Sequence, residues 1–247
     1  MPYLLQEEGL FKENIVQVIP NVFQITYRAV NVFLITEKKL TLIDTGYRSA
    51  APRIIDSIYS LGRRPAELNL IILTHCHLDH TGSMRELKKV TGARIACHIA
   101  DIMKEDKPLP YPQPVQRALN LPLFSPLRSR WGIAAHEVDI KLKGGEELPR
   151  LGGMIVVHTP GHTPGSICLF SPNFKLLFSG DTLTRKGERI VPVRRSVSLD
   201  TAQVLSSVKI LAGLDFEKVC FGHHQPVMSH GHDRMLEWLE RIKTKHG

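Results

Sequence analysis

The sequence predicts an α/β protein, a four-layer αββα sandwich of two mixed β-sheets with helices on the outer faces. Short apolar segments of strand length alternate with longer amphipathic segments of helical periodicity. The order strand, aspartate, helix, strand, histidine occurs twice, with Asp44 and His75 in the first half and Asp181 and His223 in the second. Two such halves, each a mixed sheet with helices on one face, bury their remaining apolar faces by packing sheet against sheet.

The first half opens with a predicted antiparallel meander and then changes to alternating helices and strands. The meander strands cover residues 15–19, 22–25, 32–35 and 40–43. A helix is expected after Asp44-Thr45-Gly46, with Ser49 as its N-cap and Gly62 just beyond its end. A second helix is expected over residues 81–90, and a short strand follows over 94–97.

The second half repeats this order with less regular spacing. Its predicted strands cover residues 154–157, 167–170, 176–178 and 219–221. A helix is expected from Thr201, capped by Asp200 and ended by Gly213, because its apolar residues recur on one face. A last amphipathic helix presents an apolar side made of Met235, Leu236, Trp238, Leu239 and Ile242.

A single domain is expected to span residues 1–247, because no stretch resembles a linker between independent units. Prolines recur in one region, at Pro108, Pro110, Pro112, Pro114, Pro122 and Pro126. A long irregular connection inside a compact domain is usually a functional lid or a poorly ordered loop. We therefore expect a Pro-rich insertion at about residues 104–135 that forms either a lid or such a loop.

The composition limits the compartment and the partners. Hydrophobic residues make up 43% of the chain, and no apolar run approaches the ~20 residues that cross a bilayer, so no membrane partner is expected. The N-terminus lacks the features of a signal peptide, and four scattered cysteines are expected to be reduced thiols, which together predict a cytoplasmic location. The net charge of +8 is spread along the chain, which favours a solvated basic surface over a nucleic-acid partner. No pattern indicates a particular oligomeric state.

One decapeptide, residues 71–80, has the density of side chains typical of a metal site. An apolar run predicts a buried strand, and three histidines and an aspartate follow within six positions. Alternate side chains of an extended segment share a side, so His75 and His77 can face one ion while Cys76 points away. Asp79 and His80, on the turn into the next helix, are placed to reach a second ion. Imidazole and carboxylate ligands suit zinc and are also compatible with iron or manganese.

Three more candidates stand at predicted strand ends, namely His162, Asp181 and His223. His162 lies in Thr159-Pro160-Gly161-His162-Thr163-Pro164-Gly165, whose glycines permit a tight turn. In this order, the motifs resemble those of the metallo-β-lactamase superfamily from Asp44 to His223. The resemblance implies that superfamily's fold and two divalent ions bridged by Asp181, with Asp44 orienting ligands through hydrogen bonds. The implied ligands are, for the first ion, His75, His77 and His162 and, for the second ion, Asp79, His80 and His223.

The resemblance also implies a hydrolytic chemistry. Two ions that share a bridging water lower its pKa toward neutrality, and an open coordination position polarises a carbonyl or phosphoryl oxygen. No side-chain nucleophile is required. Asp181 holds both ions, and Asp79 is the side chain placed to handle a proton, with a purely ligating role as the alternative.

Departures from individual branches of the superfamily narrow the substrate. The carboxylate Asp181 beside His80 and the missing signal peptide argue against antibiotic hydrolysis. Glyoxalase II shares the ligand set, but only 247 − 223 = 24 residues follow His223, which argues against its full glutathione site. The long basic arm of the tRNA-maturing nucleases and the flavodoxin domain of the flavo-diiron proteins have no counterpart here. The compact glyoxalase II-like hydrolase branch remains, acting on a small thioester, ester or lactone.

Three other functions stay open at this point. A persulfide dioxygenase resembles the same branch but uses one iron, which leaves the second ligand set without a task. A phosphodiesterase or nuclease of the superfamily has only the basic net charge in its favour. A non-catalytic metal-binding module is disfavoured, because the ligand set leaves open coordination positions.

Five residues near the predicted site are candidates for substrate contact, and for each of them an exposed surface position is the alternative. Arginine can hold a carboxylate or phosphate through paired hydrogen bonds. Two candidates follow Asp44, two are placed in the loop after Asp181, and one adjoins His223. They are Tyr47, Arg48, Arg194, Arg195 and His224.

Overall fold

The structure is a computed structural model that describes residues 15–103, 110–113, 116–117 and 132–246. Its first sheet has seven strands in chain order, antiparallel from β1 to β4 and parallel from β4 to β7. These strands are β1 (Ile15–Ile19), β2 (Val22–Tyr27), β3 (Val30–Thr36), β4 (Leu40–Ile43), β5 (Leu68–Ile72), β6 (Arg94–His98) and β7 (Ile140–Leu142).

The second sheet has five strands in the order β14-β11-β10-β9-β8, and only the β11–β14 pair is parallel. These strands are β8 (Glu147–Leu148), β9 (Met154–His158), β10 (Ile167–Ser171), β11 (Leu176–Phe178) and β14 (Lys218–Cys220). A separate antiparallel hairpin is formed by β12 (Leu183–Lys186) and β13 (Arg189–Pro192).

Five α-helices with complete boundaries lie within the described ranges: α1 (Ala51–Ser60), α2 (Leu78–Thr81), α3 (Met84–Thr91), α4 (Thr201–Leu211) and α5 (Gly231–His246). The predicted cap of α4 is confirmed, since the Asp200 carboxylate accepts hydrogen bonds from the backbone N–H groups of Ala202 and Gln203 at 2.9 and 3.0 Å. No helix among the described residues is long and apolar enough to cross a membrane.

Three clusters of buried apolar side chains in the described chain separate four layers, which confirms the predicted αββα sandwich. The first lies between the first sheet and helices α1 and α3, where Leu42 packs with Ile54. The second lies between the two sheets, where the rings of Phe33 and Phe178 meet edge to face with centroids 5.3 Å apart. The third lies between the second sheet and helices α4 and α5.

The structure corrects several local predictions. Ser49 does not cap α1: Ala50 occupies that position, and the Ser49 hydroxyl accepts a hydrogen bond from the phenol of Tyr27 at 3.1 Å. The helix expected over residues 81–90 is divided into α2 and α3, because Gly82 and Ser83 hydrogen-bond to the loop before α1 instead of extending a single helix.

Four strands were not predicted, namely β7, β8, β12 and β13. β7 belongs to the first sheet although it lies in the second half of the chain, so the two sheets do not divide at the sequence repeat. The hairpin β12–β13 occupies most of the segment that was expected to be a loop after Asp181. Most of the Pro-rich insertion at 104–135 lies outside the described residues. Whether it forms a lid therefore stays a prediction.

The topology brings several strand ends to one edge. β4 and β5 are parallel neighbours in the first sheet, and β11 and β14 are parallel neighbours in the second. β9 runs parallel to β11, because both are antiparallel to β10. The carboxyl ends of β4 and β5 therefore point the same way, and so do those of β9, β11 and β14. The loops that follow these strand ends meet in one place.

Candidate metal centre

Every candidate ligand follows the carboxyl end of a strand. The segment from His75 to His80 follows β5, His162 follows β9, Asp181 follows β11 and His223 follows β14. A glycine beside His162 explains how its loop fits: Gly161 has a φ of +130°, and a Cβ there would clash with the backbone nitrogen of Val204 at the start of α4.

Two of the histidines each use one ring nitrogen to contact a backbone carbonyl oxygen. His77 Nε2 lies 3.0 Å from the oxygen of Pro110, and His223 Nδ1 lies 3.0 Å from the oxygen of Ala29. Because a carbonyl oxygen only accepts, each of these nitrogens must carry the proton. For His77 the other nitrogen, Nδ1, is then left with a free lone pair, whereas Nε2 of His223 contacts Asp181 Oδ2 at 3.1 Å.

Asp44 fixes two further histidines. Its Oδ2 lies 2.8 Å from His80 Nδ1 and accepts from the Thr74 hydroxyl at 2.7 Å, while its Oδ1 accepts from the Thr74 N–H at 2.7 Å. Thr74 Oγ1 in turn lies 3.1 Å from His75 Nδ1. Since the Thr74 hydroxyl donates to Asp44, its oxygen is free to accept from His75. With Nδ1 of each ring facing an acceptor, Nε2 is the nitrogen that His75 and His80 would offer to a metal ion.

Within the described part of the chain, three ring nitrogens and a carboxylate oxygen of the cluster are buried without hydrogen-bond partners. These orphan atoms are His75 Nε2, both ring nitrogens of His162, and Asp181 Oδ1. Buried polar atoms without partners are rare, because each costs about 1–3 kcal/mol. Their concentration in one place indicates that a bound ion satisfies them.

The possible ligand atoms form overlapping sets of metal-ligand geometry. Within each set the ligand atoms all lie within 4.8 Å of one another; the sets are His75, His77 and His162, then His75, His80 and Asp181, then Asp79, His80 and His223. Asp181 reaches across them, with Oδ2 3.6 Å from His162 Nε2 and 3.1 Å from His223 Nε2. Nitrogen and carboxylate donors in this mixture fit zinc and similar divalent ions. The His/Asp cluster is therefore able to bind metal.

The electrostatics of the cluster support this conclusion. Burial lowers the pKa of His75 well below its usual value and that of His162 to about 3, so both rings are neutral and can act as ligands. Burial would also lower the pKa of His80, but the carboxylates of Asp181 and Asp44 outweigh it and raise that pKa to about 10, so without a metal His80 is a cation that would give up its Nε2 proton on metal binding. Burial would raise the pKa of Asp181, yet the surrounding imidazoles hold it well below its usual range. The Asp181 carboxylate is thus ionised and able to ligate a cation.

The structure also shows a residue that sequence analysis missed. Asp101 is buried and connects the two ligand loops: one carboxylate oxygen accepts from the Cys76 N–H at 2.9 Å and the Thr163 hydroxyl at 2.7 Å. Its other oxygen accepts from the Gly165 N–H at 2.6 Å.

Cys76 is buried in the helix-facing cluster of the first sheet, and burial raises the pKa of its thiol far above the usual value. Its thiol is therefore protonated, and Cys76 belongs to no candidate ligand set among the described residues.

A cavity of about 1100 Å³ opens beside the cluster and is lined by His77, Asp79, His162, Asp181 and His223. Two of the predicted substrate-contact residues, Arg194 and His224, line it as well. Tyr47 lies near Asp79, and its pKa is raised by partial burial and by that carboxylate. Arg48 and Arg195 are exposed and are not among the described lining residues.

The described part of the Pro-rich insertion reaches the same place. The carbonyl oxygen of Pro110 contacts His77, and the ring of Tyr111 stacks on the His77 imidazole with centroids 4.7 Å apart. This stacking fixes the plane of the His77 ring.

Comparison with known proteins agrees with this geometry. The sequence profile of the metallo-beta-lactamase superfamily matches residues 25–223. The probable metallo-hydrolase YflN of Bacillus subtilis is 28% identical over 227 residues, which cover 82% of this chain and 83% of YflN. The hydroxyacylglutathione hydrolase GloC of Haemophilus influenzae is 34% identical over 155 residues, which cover 61% of this chain and 64% of GloC.

Solved structures show the same fold. A metallo-beta-lactamase family protein from Thermus thermophilus superposes with a TM-score of 0.68 at 22% identity, covering 92% of this chain and 81% of the other. A metallo-beta-lactamase from Cronobacter sakazakii superposes with a TM-score of 0.67 at 20% identity, covering 96% and 97% of the two chains. With its profile match, its αββα layers and its His/Asp cluster, the chain belongs to the metallo-beta-lactamase superfamily.

Proposed function

We propose that the protein is a metal-dependent hydrolase that holds two divalent ions, zinc being the best suited, and cleaves a small thioester, ester or lactone. The observation that carries the proposal is the arrangement of possible ligand atoms in overlapping sets with Asp181 between them, four of which have no hydrogen-bond partner among the described residues. Relatives named hydroxyacylglutathione hydrolase support an acyl substrate.

Each side chain has a defined part in this proposal. His75, His77 and His162 would hold the first ion, and Asp79, His80 and His223 would hold the second ion. Ions bound there supply an activated water and polarise the substrate carbonyl. Asp181, whose carboxylate lies between the two sets, would help to hold both ions.

Asp79 is the residue that we assign to proton handling. Its side chain is 25% exposed and lines the cavity, whereas that of Asp181 is 10% exposed. Asp79 Oδ2 lies 3.4 Å from His223 Nε2, so the carboxylate faces both the second ligand set and the incoming substrate. A carboxylate at that place can accept a proton from the attacking water and pass it to the leaving group.

The experiment combines metal analysis with a substrate panel. Protein purified without added metal is assayed for metal per chain, and the same sample is offered a thioester, a lactone and a phosphodiester. About two zinc or manganese ions per chain with cleavage of one acyl class supports the proposal. A single iron, oxygen consumption with a persulfide and no hydrolysis would contradict it and favour the dioxygenase. Salt-sensitive cleavage of the phosphodiester alone would favour the nuclease.

A further inference from the structure

The cavity beside the metal centre has an apolar wall that the proposed hydrolysis does not by itself require. The wall extends from the ligands along β13 to helices α4 and α5. Its apolar side chains are Val191, Val193, Val197, Leu205, Trp238 and Ile242. An apolar wall in a cavity of this size gains free energy only when an apolar group of a ligand covers it.

The far end of the same cavity is cationic. Lys186 and Arg189 line it, and they are direct cross-strand partners at the tip of the β12–β13 hairpin. Like charges placed opposite each other in a hairpin destabilise it. Neither side chain forms an ion pair or hydrogen bond within the described part of the chain. The nearby Glu188 is already engaged by Arg185 and Arg234, each at 2.8 Å.

The hairpin sets the distance between the cationic tip and the metal centre. The hydroxyl of Thr184 lies 2.9 Å from Nε2 of His224, which adjoins the ligand His223. Thr184 and Lys186 share one face of β12, because side chains two residues apart in a strand point the same way. Lys186 therefore lies about 7 Å further from the metal centre than Thr184 does, at a rise of roughly 3.3 Å per residue along the strand.

We propose that this cavity takes an amphiphilic acyl substrate, an ester or thioester with an apolar chain and an anionic phosphate or carboxylate group. The apolar chain covers the wall of β13, α4 and α5, and the anion pairs with Lys186 and Arg189. The anion removes the repulsion between the two cations, which explains why the hairpin keeps them opposite each other. This assignment rests on the proposed hydrolase function and narrows its substrate class.

The test measures binding of thioethers that cannot be hydrolysed, by calorimetry on the zinc-loaded protein. The probes are S-octyl-coenzyme A, which carries phosphates, S-octyl-glutathione, which carries carboxylates, and neutral S-octyl-N-acetylcysteamine. We expect at least one anionic probe to bind about tenfold more tightly than the neutral probe, because Lys186 and Arg189 are exposed and each ion pair with the anion adds only a modest gain in affinity. Whichever anionic probe binds more tightly identifies the anion as phosphate or carboxylate.

Matched variants separate this site from the general basic charge of the protein. In Lys186→Gln/Arg189→Gln the preference for the anionic probe is expected to fall about tenfold. Lys39→Gln/Lys209→Gln makes the same charge change at exposed positions that do not line the cavity, and its preference is expected to stay. Equal binding of charged and neutral probes, or an unchanged preference in the first variant, would overturn the assignment of the anion site.

The apolar half is tested with S-ethyl-coenzyme A against S-octyl-coenzyme A. We expect the octyl compound to bind at least tenfold more tightly, because each buried methylene contributes up to about a factor of four. Equal affinity would overturn the apolar contact. Since the thioethers are not cleaved, these binding measurements do not depend on whether the protein is a hydrolase. If octanoyl thioesters bind but are not hydrolysed, the proposed function fails while the binding site remains.

Discussion

Replacing Asp101 with alanine is expected to weaken the fold and the metal site together. The buried carboxylate accepts hydrogen bonds from the N–H groups of Cys76 and Gly165 and from the hydroxyl of Thr163. Without it, two backbone N–H groups lose their partners, at about 1–3 kcal/mol each. Part of this loss is offset because an acidic group whose pKa is raised by burial leaves the interior. We expect the free energy of unfolding to fall by about 2–4 kcal/mol.

The assay has two readouts, urea unfolding of the metal-free protein and zinc affinity by competition with a chelator. Asp101 joins the loop of His75 and His77 to the loop of His162, so zinc affinity is expected to fall about tenfold or more, as for other outer contacts of metal ligands. Asp101→Asn keeps the shape and one acceptor oxygen, and it should show smaller losses in both. Asp56→Ala, at an exposed position of α1, should change neither. A stability loss with unchanged zinc affinity would refute the positioning role.

Three further substitutions test other parts of the account. Asp44→Asn replaces one acceptor oxygen by an amide NH2 group and should weaken zinc binding about 10–100-fold in a chelator titration, with little change in fold. Unchanged zinc affinity would contradict the role of Asp44 in orienting the ligands. Gly222→Ala places a Cβ against Asp181 Oδ1 and should reduce the zinc bound per chain. The control Gly213→Ala, whose added Cβ has its nearest contact at 3.4 Å, should bind as much zinc as the unchanged protein. Equal zinc content in both variants would contradict the steric effect on Asp181. Asp200→Ala removes the cap of α4 and should cost about 1 kcal/mol in thermal unfolding, and an unchanged melting temperature would show that the cap contributes nothing.

The layers and most of the ligand loops could be predicted because they depend on local patterns. Alternation after a buried strand placed His75 and His77 on one side, and the short apolar segments indicated the strands of both sheets. The repeated aspartate and histidine at strand ends indicated a shared edge, where the structure brings Asp44 and His80 within 2.8 Å. These features follow from periodicity and from chain order.

Other features depend on contacts between distant residues. β7 has three residues and no periodic signal, and its pairing with β6 determines its place. Asp101 resembles any polar residue after a strand, because its partner Gly165 is 64 positions away. The β12–β13 hairpin did have a local signal, Gly187-Glu188 between two short strand-like segments, with Gly187 at a φ of +62°. Recognising that turn would have placed Lys186 and Arg189 opposite each other before the structure was known.

The central claim is a dinuclear centre, and anomalous diffraction from zinc-loaded crystals tests it most directly. We expect two peaks about 3.5–4 Å apart on either side of the Asp181 carboxylate. One peak should lie against His75, His77 and His162, and the other against Asp79, His80 and His223. A single peak at full zinc loading, with Asp79 and His223 away from the ion, would contradict the account.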